Sequence, residues 1–330
     1  MSILVTGGAG YIGSHMVWHL VDAGQKVVVL DNLTTGFAWA VAPEARFVKG
    51  DIGDQPLVEK LIAEHEVDAI IHFAGSVVVP DSVRDPLGYY LNNTVKSRAL
   101  LESAVRGGVR KFIFSSTAAV YGTPDVSPVG EEAQLHPVSP YGRSKLMTEW
   151  MLADTAAAHD FRYVALRYFN VAGADPGGRT GQSTRGATHL LKVACETALG
   201  KRPGMTVFGT DYPTPDGTCI RDYIHVSDLV AAHADALAHL DRGGGSLVAN
   251  AGYGRGFSVL DVINTVKRVS RREFAVEYGP RRPGDPSSVV ASPALITTRL
   301  GWRPRHAELE TIVGHALAWE ASLSRRNQLD

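Results

Sequence analysis

The sequence predicts a doubly wound α/β fold, a mostly parallel sheet covered by helices on both faces, followed by a smaller C-terminal α/β domain. Three observations predict it. Short β-branched runs alternate with longer helical patterns through the first half of the chain. Those runs are apolar almost throughout, as strands buried on both faces must be, and a glycine-rich turn, TGGAGYIGSH, joins the first run to the first helical stretch.

Residues 3–6, 26–31, 46–51, 68–74, 111–116 and 163–169 read as the strands, with crossover helices between them. Beyond about Val171 the alternation loosens into Gly/Pro-rich loops, GADPGGRTGQ, GTDYPTPDGT and GPRRPGDP. These separate helical stretches at 188–199, 228–240, 258–269 and 308–323. Residues 246–252 again have strand character. A nucleotide-binding domain is therefore expected over 1–170 plus about 221–252, and a substrate domain over 171–220 and 253–330.

Bulk properties narrow the function. With 330 residues, 45% of them apolar and 20% charged, the chain can bury a large core. Its formal net charge of −1 gives no electrostatic case for nucleic acid or an acidic membrane, because the basic residues are scattered. Cys195 and Cys219 are too few for a disulfide framework and form no C-x-x-C, which suggests a reducing compartment. No leader-like segment and no apolar run of spanning length is visible, so a cytoplasmic protein is expected.

In the glycine turn, Gly7, Gly10 and Gly13 follow G-x-x-G-x-x-G, and Gly8 also completes G-x-G-x-x-G. Glycines let backbone approach a pyrophosphate and let the helix sit close to the sheet, while the helix N-terminus offers unpaired N–H groups to the phosphates. This is the Rossmann arrangement. Asp31 ends the second strand, where a carboxylate would accept from a ribose 2′-hydroxyl and repel a 2′-phosphate, so NAD is expected rather than NADP. Asp51 and Ile52 after the third strand, and Phe73, Ala74 and Gly75 after the fourth, lie where open sheets bind ligands; turn chemistry alone is the competing reading.

The stretch SPYGRSK opens a helix, with Ser139 as N-cap and Pro140 at the first position, so Tyr141 and Lys145 fall one turn apart on one face. Making a phenol of pKa about 10 a base near pH 7 requires roughly 4 kcal/mol in favour of phenolate. One cation about 5 Å away at an effective dielectric of about 20 supplies roughly 3 kcal/mol, so Lys145 together with an oxidised nicotinamide could meet the requirement. The fifth strand ends in FSSTAAVYG, which places Ser115, Ser116 and Thr117 hydroxyls toward the same crevice, where Thr117 could pass a proton between a substrate hydroxyl and Tyr141. His15 and His19 stand four apart without the Glu of a zinc motif, and no metal is expected. His225 and Asp228 read as loop and helix-start structure.

Together these residues resemble the extended short-chain dehydrogenase/reductase family, in its branch that epimerises nucleotide sugars. The likeness runs nearly end to end: VTGGAGYIGSH, DNLTTG, HFAG, YYLNNT, FSSTAAVYG, PYGRSK, LRYFNVAGA, VFGTDYPTPDGTCIRDYIHVSDL, RRPGD and LGW. The resemblance implies NAD held through Gly7, Gly10, Tyr11, Ile12, Gly13, Asp31, Asn32, Asp51, Ile52, Phe73, Ala74, Gly75, Asn92, Ser115, Tyr141, Lys145 and Tyr168. It implies catalysis by Tyr141, Lys145 and Thr117. It also implies a UDP-sugar substrate contacted by Thr117, Tyr141, Asn170, His189, Leu190, Phe208, Arg221, Arg282, Asp285 and Val289. Arginine forks suit phosphate oxygens, and Phe208 can flank a base. The implied reaction inverts C4 of a UDP-hexose, interconverting the glucose and galactose forms. Tyr141 takes the 4-OH proton, NAD takes the C4 hydride, and the 4-keto sugar turns over before hydride returns. A homodimer is also implied, pairing through a helix near 92–106 or the one carrying Tyr141.

Three departures from the family pattern stand out. Val77 replaces a lysine near the cofactor, His189 stands where many members carry Asn, and Val289 replaces a bulky Tyr at the sugar pocket. The smaller Val289 could admit an N-acetyl group, so UDP-N-acetylglucosamine or UDP-xylose epimerisation stays open. A 4,6-dehydratase or decarboxylase would place acids after Thr117, where Ala118 and Ala119 stand. A non-enzymatic NAD-sensing regulator would typically lack an intact Tyr/Lys pair.

Overall fold

The computed structural model describes residues 2–282 and 284–326. Six strands of the first half, β1 (Ser2–Thr6), β2 (Val27–Asp31), β3 (Arg46–Lys49), β4 (Val67–His72), β5 (Lys111–Thr117) and β6 (Arg162–Tyr168), match the sequence expectation to within a few residues. They and the strand Leu247–Ala251 form a seven-stranded sheet in the order Leu247–Ala251, β6, β5, β4, β1, β2, β3, parallel at every junction. The order reverses beside β1. Its glycine turn therefore opens onto the switch point, where such sheets bind ligands.

Both faces of this sheet are core, which explains the unbroken apolar runs. Leu4, Val28, Ile70 and Phe112 face one helical layer. Val5, Val29, Ile71 and Ile113 face the other, which includes the helices Tyr11–Asp22 and Val226–Asp241. The strand Ile220–His225 belongs instead to a smaller sheet, between Gly256–Ser258 and Ser288–Val289, and also pairs with Asn170–Ala172. So within the expected return at about 221–252, it is Val226–Asp241 and Leu247–Ala251 that lie on the large sheet. A third cluster, including Leu191, Val262, Ile263 and Ile312, packs the later helices Leu190–Ala198, Val259–Ser270 and Leu309–Arg326 together. Each of these helices falls where the sequence pattern puts one.

Two buried aspartates tie the halves together. Asp222 accepts from the backbone N–H groups of Tyr253, Gly254 and Ala291 at 3.0, 2.9 and 3.3 Å; burial raises its carboxyl to about 6, and those three bonds oppose the rise. Asp228 accepts from Arg305 N–H at 2.9 Å, His306 N–H at 2.8 Å and the Tyr253 hydroxyl at 2.6 Å, while its own carbonyl receives the Trp302 indole. The LGW segment is thus held by the start of a helix 70-odd residues earlier in the chain. Replacing Asp228 by Ala strands two part-buried N–H groups, the Arg305 and His306 amides, together with the Tyr253 hydroxyl, and urea unfolding should show a loss of about 2 kcal/mol; a loss within about 0.5 kcal/mol, as at an ordinary surface site, would contradict this role.

Candidate active site

The glycine turn is as tight as its spacing requires. Gly7 adopts φ +70°, and a Cβ there would lie 2.6 Å from the Ala74 nitrogen, so the turns after β1 and β4 touch through backbone alone. At Gly13 a Cβ would lie 2.1 Å from the Gly7 carbonyl oxygen, which is why the helix can start so close to the sheet. Gly10 is the N-cap of the helix Tyr11–Asp22; among the described residues no side chain caps that end and no carboxylate occupies its first turn. Asp31 braces the turn, accepting from Ala9 N–H at 2.9 Å and Leu33 N–H at 2.7 Å. A concave backbone turn, an uncapped helix end and a carboxylate at the second strand's tip suit a dinucleotide, so the residues present fit NAD.

At the next strand tip Asp51 binds Lys96 at 2.6 Å, Gly53 N–H at 2.9 Å and the Asn32 amide at 3.2 Å. Burial pushes its carboxyl upward, but Lys96 and the hydrogen bonds outweigh it and hold Asp51 below the usual carboxylate range. Ile52 is buried beside it, and Phe73, just after β4, packs its ring at a tilt against His233 with centroids 4.8 Å apart. Asn92 and Asn93 lie in a short π-helical stretch, Tyr90–Val95, ahead of the helix Lys96–Arg106. Asn92 donates to the Ser76 hydroxyl. Asn93, which sequence reasoning passed over, is the buried member: it bonds both Ser76 peptide groups and the Ser144 hydroxyl, tying the loop after Gly75 to the helix of Tyr141.

That helix, Pro140–Ala158, begins as the sequence implies, with Ser139 accepting from Gly142 N–H and Pro140 in the first turn. Tyr141 and Lys145 are both buried under the end of β5. Lys145 Nζ donates to the Ser115 carbonyl at 3.1 Å, stands 4.9 Å from the Phe114 ring centre, and lies 3.5 Å from where a Gly75 Cβ would be. Burial lowers its ammonium to about 8. The Thr117 hydroxyl bonds the Tyr141 phenol and accepts from Ala119 N–H at 3.1 Å. Among the protein's own groups burial dominates the Tyr141 phenol, nearby Tyr168 adds to it, and the phenol stands well above its ordinary range despite the Thr117 bond.

The expected substrate residues gather in pairs. Val289 sits in parallel register with Arg221, and the Arg221 guanidinium lies 3.6 Å from Asp285. Arg282 stacks over the Phe208 ring at 3.9 Å. Asn170, His189 and Leu190 line a common cleft with Gln182, whose amide meets His189 Nδ1 at 2.8 Å. The Tyr11 hydroxyl bonds the Gly173 carbonyl at 2.7 Å, joining the glycine turn to this second group. Val77 is exposed at the rim. Among the described residues no cluster of histidine, cysteine or acid side chains could hold a metal, and no helix is long and apolar enough to cross a membrane.

Lys145 yields a signed pH dependence. Its folded pKa of about 8 lies below the ordinary 10.5, so below about pH 8 both states are protonated and the burial penalty is full. Between pH 8 and 10.5 the folded state has already shed its proton, and the penalty fades. Lys145→Met should therefore melt higher than wild type at pH 7, by up to roughly 3 kcal/mol, with the gap closing toward pH 10.5. A gap independent of pH would contradict the assignment.

Comparison with known proteins agrees with this geometry. Residues 3–252 match the model of the NAD dependent epimerase/dehydratase family. A UDP-glucose 4-epimerase from Azospirillum brasilense is 56% identical over 98% of this chain and 93% of its own. The crystal structure of UDP-glucose 4-epimerase from Brucella ovis in complex with NAD superposes with a TM-score of 0.94 at 44% identity, covering 96% of this chain and 97% of that one. The UDP-Glc/GlcNAc 4-epimerase of Campylobacter jejuni gives 0.86 at 46% identity, covering 97% and 99%. The chain belongs to the NAD dependent epimerase/dehydratase family.

Proposed function

We propose that the protein is an NAD-dependent UDP-hexose 4-epimerase interconverting UDP-glucose and UDP-galactose. The observation that carries the reading is the burial of Tyr141 and Lys145 on one helix face under Ser115 and Thr117, beside a glycine turn that fits a dinucleotide. Gly7, Gly10, Tyr11, Ile12 and Gly13 would hold the pyrophosphate, and Asp31 and Asn32 the adenosine ribose. Asp51, Ile52, Phe73, Ala74, Gly75 and Asn92 would line the rest of the cofactor site, with Ser115, Lys145 and Tyr168 nearest its reactive end. Bound nicotinamide supplies a hydride acceptor that later becomes the donor. Its positive charge is also what a phenol raised by burial needs before it can lose a proton near neutral pH.

Tyr141 then acts at the sugar 4-hydroxyl. Its oxygen removes that proton as the C4–H bond breaks and returns it to the 4-oxygen when the C–H bond reforms on the opposite face. Thr117, bonded to the same oxygen, would hold the sugar hydroxyl in line. Lys145 would orient the cofactor and favour the phenolate. Arg221 and Arg282 suit the diphosphate, Phe208 the base and Asp285 a ribose hydroxyl, with Asn170, His189 and Leu190 closing the cleft. Val289 gives the alternative reading its support, because a side chain this small leaves room for an N-acetyl group, and a relative sharing 46% of its residues is named for both substrates.

Purified protein incubated without added NAD should interconvert UDP-glucose and UDP-galactose, and chromatographic separation of the epimers reads this directly. Tested in parallel, the N-acetyl and pentose forms decide the sugar. Tyr141→Phe should lose at least about 1,000-fold in kcat while keeping bound nucleotide. Failure of every UDP-sugar to epimerise would remove the function.

A cytoplasmic homodimer completes the reading. Leu87, Leu91 and Val95 recur every four residues along one exposed face, with Val83 and Trp150 also exposed, an apolar area that a second copy would cover. Light scattering should give twice 35.4 kDa, and Leu91→Glu should give the single-chain mass. A wild-type monomer would refute the dimer.

A further inference from the structure

Glu149 lies one turn beyond Lys145 on the catalytic helix and is only 4% exposed. It receives the Ser116 hydroxyl and pairs with Arg167, whose Nη2 reaches it at 2.6 Å and Nε at 3.0 Å. Arg167 Nη1 continues to the Tyr121 hydroxyl at 3.0 Å, and that hydroxyl donates to Asn250 Oδ1 at 2.7 Å. The Asn250 amide nitrogen donates to the Val129 carbonyl at 2.9 Å. Val129 is bonded on both sides to the segment after Val289: its N–H to the Val290 carbonyl, and its carbonyl from Ser292 N–H, each at 2.8 Å. Tyr121 is 1% exposed and Asn250 0%.

We propose that Tyr121 and Asn250 are positioning residues which, with Glu149 and Arg167, fix the distance between the Tyr141 helix and the Val289 wall and thereby set which sugar the site accepts. The inference rests on the reading of this site as a UDP-hexose epimerase. Alternative accounts are weaker. A buried ion pair is a poor source of net stability, since replacing it with apolar side chains commonly costs nothing. What such a chain does supply is direction, because its donors and acceptors are buried and partnered with one another. It runs without a break from the helix that carries the base to the segment directly after Val289, the departure from the family pattern at the sugar pocket. Neither Tyr121 nor Asn250 belongs to the proposed cofactor or substrate contacts, so each can be altered without removing a reacting group.

Tyr121→Phe keeps the ring and deletes the central hydroxyl, while Asn250→Ala deletes the link to Val129. If Asn250→Ala fails to fold, Tyr121→Phe alone carries the test. The ratio of kcat/KM for UDP-galactose to that for UDP-N-acetylgalactosamine should change by at least about threefold in Tyr121→Phe. Amide hydrogen exchange of the nucleotide-loaded protein should quicken by about tenfold in both 127–131 and 289–292, although the Tyr121 hydroxyl itself bonds Asn250 and Arg167. An unchanged ratio with a lowered melting temperature marks the network as structural only and overturns the proposal. If wild type converts no UDP-sugar, the functional reading fails by itself, and exchange still decides the coupling: faster exchange confined to the surroundings of Tyr121 overturns it.

Discussion

Parallel pairing is the constraint on which the rest of this molecule depends. Seven strands that all run one way must all leave the sheet at the same edge, and each return needs a crossover, a helix everywhere except between β2 and β3, where the connection holds only the short 3-10 turn Ala38–Ala40. The turns after β1, β2, β3, β4 and β5 therefore converge without any design beyond the direction of the strands. Gly7 can press its backbone on Ala74 only because β1 and β4 are neighbours with parallel register. Thr117 faces the catalytic helix for the same reason: it is the last residue of β5, and the helix Pro140–Ala158 is that strand's crossover to β6.

That convergence concentrates groups that dislike burial. Lys145 loses proton affinity and Tyr141 is driven the other way, so the site disfavours charge on both members of the pair. The two shifts have one cause, removal from water, and a positive charge arriving beside them would be felt strongly because so little solvent is left to screen it. Several polar side chains around them are held by one another or by backbone: Asn93 by Ser76 and Ser144, Lys145 by the Ser115 carbonyl, Glu149 by Arg167. A site assembled in this way has few alternative arrangements.

The first-half fold was legible because a two-sided strand leaves a run of apolar residues and a crossover follows it, although the helix expected between β2 and β3 is only the short turn Ala38–Ala40. Tyr141, Lys145 and Thr117 were legible because one helical turn and one strand end fix their positions with little help from the rest of the chain. What could not be read were contacts between residues far apart. Asp228 reads in the sequence as helix-start structure and Asp222 draws no reading at all, yet their partners lie at Tyr253, Ala291, Arg305 and His306, and nothing local announces an acceptor for a backbone N–H. Asn93 was overlooked in favour of Asn92 because a regular helix gives no sign of the π-helical stretch that turns Asn93 inward.

The bond from the Tyr11 hydroxyl to the Gly173 carbonyl spans 162 residues, and the Ser14 hydroxyl reaches Thr180 across 166. The glycine turn thus waits for chain 162 and 166 residues further on before its surroundings are complete. The seventh strand of its sheet, Leu247–Ala251, comes later still. Long-range closure of this kind is slow, and the sheet edge at β6 stays open while synthesis continues. The nascent chain must therefore pass an interval in which the nucleotide turn exists and the site does not, exposed to association with other strands.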